Sequence, residues 1–330
     1  MNTILIIGGG SIGKRHLKNI LDLGMQDISV VEVDDSRRKS IEKEFSVATF
    51  SSVQEAFVDK EFSIAFICSP SVFHLENALL CAKKGCDLFI EKPLSHSIEG
   101  LEQLFAVVKE KKLITMVGSN WKFYPLFQKM KEILDSNVLG KVLSARCQFG
   151  QYLPDWHPYE DYSKGYSSNK KLGGGILLDS HEFDYLTWFL GDVKKLACFA
   201  DTVSDLEIDV EDVAEVILQF KSGVIAEIHL DYLQRVYQRN FEFFCERGSM
   251  FWYMADKKVT LFEIEKEKKE FFIEDTYDLN IMYIEEIKHF FSCLEKRKET
   301  ITSITQGKKI IDLISASKES STKEKVMHIT

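Results

Sequence analysis

Apolar residues change rhythm partway along this chain of 330 residues. In the first third they come as short unbroken runs, each followed by a longer segment of helical spacing. "TILIIGGGSIGKRHLKNIL" predicts a short buried strand, a glycine turn and an amphipathic helix. "DISVVEV" predicts a second strand, and "FSIAFICSP", "HLENALLCAKKG" and "CDLFIEKP" continue as strand, helix, strand. That alternation means a parallel, doubly wound α/β sheet. The second half is β-rich with stretches of period two: "KVLSARCQF", "VEDVAEVILQF", "GVIAEIHLDYL", "RNFEFFCERGSMFWY" and "KVTLFEIE". Helices are expected near 124–135, 181–190 and 280–295, with a final one at 305–318 and a frayed last dozen residues. The charged run "EIEKEKKEF" alternates with apolar residues and reads as an exposed strand or hairpin.

A chain of this length exceeds what one core usually supports, so two domains are expected. Its net charge of −9 argues against broad binding to nucleic acid or anionic membrane, which both need a basic surface. The seven cysteines form no CxxC pair and are odd in number, which fits reduced thiols in the cytoplasm. "MNTILIIGGG" lacks the basic flank and the apolar length of a signal peptide or membrane span.

Two motifs compete for the first glycine turn. Gly8, Gly13 and Lys14 satisfy most of a phosphate-binding GxxxxGK[ST] loop, but Arg15 stands where a magnesium-holding hydroxyl belongs. Gly8, Gly10 and Gly13 satisfy GxGxxG completely, between a strand and a helix, which lets backbone approach a pyrophosphate. Glu32 ends the second strand, where a dinucleotide fold places the carboxylate that accepts from the adenosine ribose. A carboxylate repels a 2′-phosphate, so NAD is expected over NADP, with Arg37 and Arg38 close behind as the opposing influence. Farther on, "GGGILLDSHEFD" sets Gly173, Gly174 and Gly175 before Asp179, His181 and Asp184. This is either a loop ending in a helix cap at Asp179 or Ser180, or a place where substrate lies against backbone beside a histidine.

With "EKP" (Glu91, Lys92, Pro93), the chain resembles the Gfo/Idh/MocA family of nicotinamide-dependent sugar oxidoreductases. "GGGSIGKRHLKNI", "CSPSVFH", "IEKPLSHS", "VGSNWKFYP" and "GGG…HEFD" follow the family's order, and the likeness spans nearly the whole chain. The resemblance implies an NAD-binding Rossmann domain over 1–120. Residues 121–330 would form a substrate and oligomerisation domain, an α/β unit with a large, mostly antiparallel open sheet. The final helix would pack back on the first domain, and the exposed sheet face would mediate a homodimer or homotetramer. The Lys92–Pro93 bond would be cis. The resemblance places Ser11 and Ile12, Ser69, Pro70 and His74, and Glu91 with Lys92 at the cofactor, beside Gly8, Gly10, Gly13 and Glu32. Lys92, Asn120, Lys122, Trp156, Asp179 and His181 would meet substrate, and Lys92, His181, Asp184 and Asp179 would serve catalysis. Two positions depart from the family: Leu177 replaces the carboxylate four residues before the histidine, and Lys122 replaces an arginine, keeping charge without the bidentate fork.

The residues fit such chemistry. Lysine starts too high for an efficient base at neutral pH, but burial and a positive nicotinamide both lower it. Histidine needs little tuning to accept a hydroxyl proton, and Asp184, three positions on, shares a helix face with His181. No further ligand cluster accompanies the HxxD, so no metal is expected. "GQYLPDWHPYEDYSKGYSSNKKLGGG" offers aromatic planes and carboxylates for a sugar, and Lys164, Lys170 and Lys171 for an acidic group. The expected activity is reversible oxidation of a sugar hydroxyl, the sugar being nucleotide-activated or acidic and belonging to surface-polysaccharide biosynthesis. The alternatives are a non-redox lyase or glycosidase that uses NAD transiently, and a non-catalytic NAD-binding regulator.

Overall fold

The computed structural model describes residues 3–156, 161–179 and 181–329. It divides into two compact units, residues 1–120 with 280–311 and residues 121–279 with 312–330.

The first unit alternates strands and helices: β1 (Ile4–Ile7), α1 (Ser11–Asp22), β2 (Ile28–Val31), α2 (Asp35–Phe45), β3 (Ala48–Phe50), α3 (Val53–Asp59), β4 (Ile64–Ile67), α4 (His74–Lys84), β5 (Asp87–Ile90), α5 (Leu101–Lys111) and β6 (Thr115–Val117). The strands form one parallel sheet in the order β3-β2-β1-β4-β5-β6. The run "ILII" of β1 is buried throughout, as a strand covered on both faces must be. Order reverses between β1 and β4, so the carboxyl ends of these strands open onto the ligand crevice of such folds.

The chain continues with α6 (Pro125–Asp135), β7 (Val142–Gly150), the short α7 (Ile176–Asp179), α8 (Glu182–Leu190), β8 (Val193–Asp201), β9 (Val213–Phe220), β10 (Ile225–Asp231), β11 (Gln238–Cys245), β12 (Gly248–Tyr253), β13 (Lys258–Glu263) and β14 (Lys269–Phe272). Then follow α9 (Asn280–Lys296), α10 (Ile304–Lys323) and β15 (Met327–His328). The second sheet runs β14-β13-β12-β11-β7-β10-β9-β8-β15 and is antiparallel except where β10 lies beside β7. One face packs on α6 and α8 through an aromatic core in which Phe127 meets Trp252 edge-on at 4.8 Å and Tyr185 at 5.1 Å. Its strands alternate buried and outward residues, the signature of a sheet with one open face. The run at 263–271 is the turn and start of the β13–β14 hairpin.

The end of the chain differs from expectation. The last helix extends from Ile304 to Lys323 and is followed by β15, paired with Leu196 and Lys195 of β8. Ser320 accepts the Cys198 N–H at 2.9 Å, and Ser321 both accepts from Ala200 and donates back to it. Two serine hydroxyls thus satisfy the edge of β8 and fix a segment whose polar composition suggests fraying. Among the described residues no helix is long and apolar enough to cross a membrane.

The open face carries Phe199, Ile217, Ile225, Phe262 and Phe272, all exposed, together with a charged cluster on β9 and β10. There His229 lies 2.5 Å from Glu215 and 2.7 Å from Asp231. The hydrogen bond to Asp231 raises its pKa to about 9 against the cost of burial, with Glu215 adding to the rise. Folded His229 therefore holds its proton where an unfolded histidine, at 6.5, has lost it. We predict that its contribution to stability is complete below pH 6.5 and disappears as pH rises through 9. In chemical denaturation, the stability difference between the protein and His229→Gln should shrink over that window; a difference constant with pH would refute the pairing.

Candidate functional site

The first unit builds its candidate ligand loop where β1 turns into α1. Gly8 has φ +102°, and a β-carbon there would sit 2.6 Å from the Cys68 carbonyl oxygen. A β-carbon on Gly13 would overlap the carbonyl oxygen of Gly8. Only glycine lets these segments pass so closely. Around Gly10 the corresponding space is empty of protein, and Gly10 caps α1 without a side-chain hydrogen bond. The helix thus opens with unsatisfied N–H groups beside a residue that leaves room for a ligand, a fit to the pyrophosphate of a dinucleotide. Ser11 and Ile12 form its first turn.

Glu32 is buried just past β2 and performs work the motif does not reveal. Its carboxylate accepts the N–H of Gly9 at 2.9 Å and that of Asp34 at 2.9 Å, and meets Arg37 at 3.2 Å. Arg38 donates to the Glu32 carbonyl. Glu32 therefore braces the glycine loop, and Arg37 offsets its charge.

The strand ends of β4 and β5 are tied together by His74. Its ring nitrogens lie 2.6 Å from the Ser69 carbonyl and 2.7 Å from that of Pro93, bridging the "CSP" and "EKP" loops. Burial lowers the His74 pKa, despite these carbonyls. The Lys92–Pro93 bond is cis. Glu91 accepts the N–H of Lys92 at 3.2 Å and sits 2.5 Å from Nε2 of His16, a fully buried residue of α1. Burial raises the Glu91 carboxyl, but His16, Lys92 and His74 outweigh it and hold the pKa below its ordinary value. Asn120, the last residue of this segment of the unit, is buried.

The second unit presents His181 at the cap position of α8. The three glycines before it have an internal explanation. Gly173 and Gly175 adopt positive φ, and a β-carbon on Gly174 would clash with the carbonyl oxygen of Tyr166, while one on Gly175 would meet Glu211 at 2.5 Å. The close approach inferred from these glycines is made by the protein's own chain. Asp179 is not a cap for α8: it is buried and accepts from the hydroxyls of Tyr166 and, at 2.6 Å, Tyr232. Burial and this carboxylate push the Tyr232 phenol well above its usual pKa, so it stays a donor. Ser180, the other cap considered, lies outside the described residues, as do residues 157–160 of the aromatic segment.

Asp184 accepts from Lys122 at 2.7 Å, and Lys122 is buried with its ammonium 6.0 Å from the centre of the Trp188 ring. The imidazole of His181 stacks parallel on Tyr185, 5.7 Å between ring centres. Trp156 packs on Phe149 and Tyr232 of its own unit, with its indole N–H donated to the Gln151 carbonyl. Lys164 pairs with Asp161, and Lys170 and Lys171 are exposed. Glu182 and Arg239, which no motif singled out, form a buried ion pair directly behind His181. A carboxylate adjoining a candidate base was the available signal for Glu182; nothing in the sequence connected it to residue 239. Among the described residues no group of three or more His, Cys, Asp or Glu could hold a metal ion.

A glycine turn open to a pyrophosphate, a carboxylate behind it and a lysine at a strand end define a dinucleotide-dependent oxidoreductase. Residues 2–119 match the oxidoreductase family with an NAD-binding Rossmann fold, and residues 127–251 match the GFO/IDH/MocA C-terminal domain. The chain belongs to the Gfo/Idh/MocA family. It is 29% identical to a myo-inositol 2-dehydrogenase of Thermotoga maritima over 96% of this chain and 95% of that one. In fold it is similar to levoglucosan dehydrogenase in complex with NADH and L-sorbose, with a TM-score of 0.89, 18% identity, and 100% and 99% of the two chains covered. The WlbA dehydrogenase of Bordetella pertussis, in complex with NADH and UDP-GlcNAcA, gives a TM-score of 0.87 at 16% identity, over 100% of this chain and 99% of that one.

Two expectations follow. Glu32→Ala should weaken NAD binding about tenfold, as loss of a buried charge-assisted acceptor would, and narrow the preference over NADP. Fluorescence titration with both reduced cofactors measures this, and unchanged NADH affinity would refute it. Asp179→Ser should lower stability by roughly 2 kcal/mol, because the buried Tyr232 hydroxyl and the Tyr166 hydroxyl lose their acceptor. A melting curve matching the unmodified protein would return Asp179 to a capping role.

Proposed function

We propose that this chain is an NAD-dependent dehydrogenase that interconverts a secondary alcohol and a ketone on a small polyhydroxylated ring. The observation that carries this reading is the Lys122–Asp184 pair on the face of α8 that bears His181. A buried donor and a partly exposed acceptor side by side, with no net charge between them, suit the vicinal hydroxyls of a neutral sugar or cyclic polyol. The similarity to a myo-inositol 2-dehydrogenase supports the same substrate class. Bound NAD supplies the hydride acceptor, held by Gly8, Gly10, Ser11, Ile12 and Gly13 with Glu32 behind them. Ser69, Pro70 and His74 would line its nicotinamide half together with Glu91.

His181 is the proposed proton acceptor for the reacting hydroxyl, and Lys92 the group that donates to the oxygen as it becomes a carbonyl. Lys122 and Asp184 fix the neighbouring hydroxyls, and Asp179 supports the loop through its tyrosines. An acidic or nucleotide-linked sugar is the second reading. Exposed Lys170 and Lys171 favour it, as does the fold similarity to WlbA. The apolar residues on the open sheet face support assembly into a homodimer or homotetramer. The seven thiols, six of them buried, favour the reducing cytoplasm.

The test is a panel of cyclic polyols, neutral sugars, uronic acids and nucleotide sugars followed by NADH absorbance. Turnover on a neutral polyol is expected. Consumption of substrate without net NADH would replace this reading with a non-redox one. Lys92→Met and His181→Asn should each lose roughly a hundredfold or more in kcat, the usual share of a proton-handling group. NAD affinity should stay within about twofold, since neither removes a phosphate contact. Near-normal turnover in either variant would remove that residue from the chemistry.

A further inference from the structure

Glu182 and Arg239 pair out of reach of water, Nε to Oε1 at 3.1 Å, with Glu182 fully buried and Arg239 6% exposed. The guanidinium lies between two rings, 4.3 Å from the centre of Phe149 and 4.8 Å from that of Trp121. Burial opposes the charge on Arg239, but Glu182, with Tyr185 and Tyr237, more than restores it. Such a pair is an inefficient way to stabilise a core. Removing two charges from water costs about as much as their attraction returns, and apolar replacements are commonly neutral or better. The contact itself is too bent for a hydrogen bond. The pair is not shaped for bond strength.

Its geometry does fix the Glu182 side chain. The other carboxylate oxygen, Oε2, accepts the main-chain N–H of His181 at 2.8 Å. In the common capping arrangement the residue at the third helical position reaches back to the cap N–H. Here that position is Asp184, which is engaged by Lys122, while Glu182 at the first position holds the cap residue. Tyr185 lies parallel beneath the imidazole. His181 is thereby held by its amide on one side and by its ring on the other.

We propose that Glu182 and Arg239 are positioning residues for His181: Arg239, clamped between Trp121 and Phe149, sets the Glu182 carboxylate, and Glu182 sets the histidine main chain. The proposal rests on the reading of His181 as proton acceptor, and its test separates the two. Amide hydrogen exchange is followed by NMR in the full-length chain saturated with NAD, at His181 and at the later amides of α8. Glu182→Ala and Arg239→Met should each speed exchange at His181 about tenfold, the effect of losing one hydrogen bond, without changing the rest of α8. Glu182→Gln, which keeps an oxygen acceptor, should restore protection. Unchanged exchange at His181 in Glu182→Ala would overturn the proposal, as would uniform loss of protection along α8 in both Glu182→Gln and Arg239→Met. If Glu182→Ala fails to fold, the contrast between Glu182→Gln and Arg239→Met decides. Normal turnover in His181→Asn would instead overturn the proton-acceptor reading and leave the amide result standing.

Discussion

At the end of β1 and again before α8, backbone passes so close to backbone that a β-carbon has no room, and the candidate site residues take their positions from those places. The first is the end of β1, where Gly8 presses on the Cys68 carbonyl and Gly13 on Gly8 itself. This contact brings the start of α1 over the sheet and sets the spacing between its open N-terminus and the strand ends of β4 and β5. The second is the segment before α8, where Gly174 meets the carbonyls of Tyr166 and Ser167 and Gly175 meets Glu211. There the close approach fixes where the helix carrying His181 begins. Side chains at either point would force the backbone apart, and no adjustment of neighbouring residues could compensate for displaced carbonyls.

Buried charge then refines what steric exclusion has set. Each unit contains carboxylates that turn inward onto partners of its own unit. Glu32 accepts two main-chain N–H groups, Glu91 meets His16 and the Lys92 amide, and Glu182 holds the His181 amide. A buried carboxylate is costly unless it is paired, and these pairings hold each segment to one geometry: Glu32 hydrogen-bonds through both oxygens, Glu182 through Oε2 with Oε1 against Arg239. Loops that would otherwise sample many conformations are thereby held ready, which reduces the ordering cost of binding.

Much of the architecture was legible because it depends on periodicity. Short apolar runs such as Ile4–Ile7, which ends in a glycine turn, fit strands buried on both faces, and the period-two stretches announced an open sheet. The glycine turn and the family itself followed from local motifs, and the resemblance implied the cis bond at Pro93. Three things were hidden. The role of Asp179 depends on Tyr232, 53 positions away, and short-range spacing suggested a helix cap instead. The Glu182–Arg239 pair joins a helix to a strand with no periodic signal linking them. The ordered end of the chain depends on hydroxyls of α10 reaching β8, a contact that composition alone read as fraying. Each concerns polar residues meeting across long sequence distances, where hydrophobic pattern carries no information.

The edges of the second sheet have a consequence for how this molecule can grow. One margin is β15, two residues long; the other is β14, four residues flanked by Lys266 and Lys268 and carrying Lys269 and Glu270. Short, charged margins are poor templates for another strand, so the sheet resists extension into a ribbon. Its exposed apolar residues lie on the open face instead. A face covered by an identical face is spent once covered, and the resulting particle is finite, whereas a sheet joined edge to edge always exposes a new edge. Lysines and short strands at the rim thus leave little free edge on which a filament could grow.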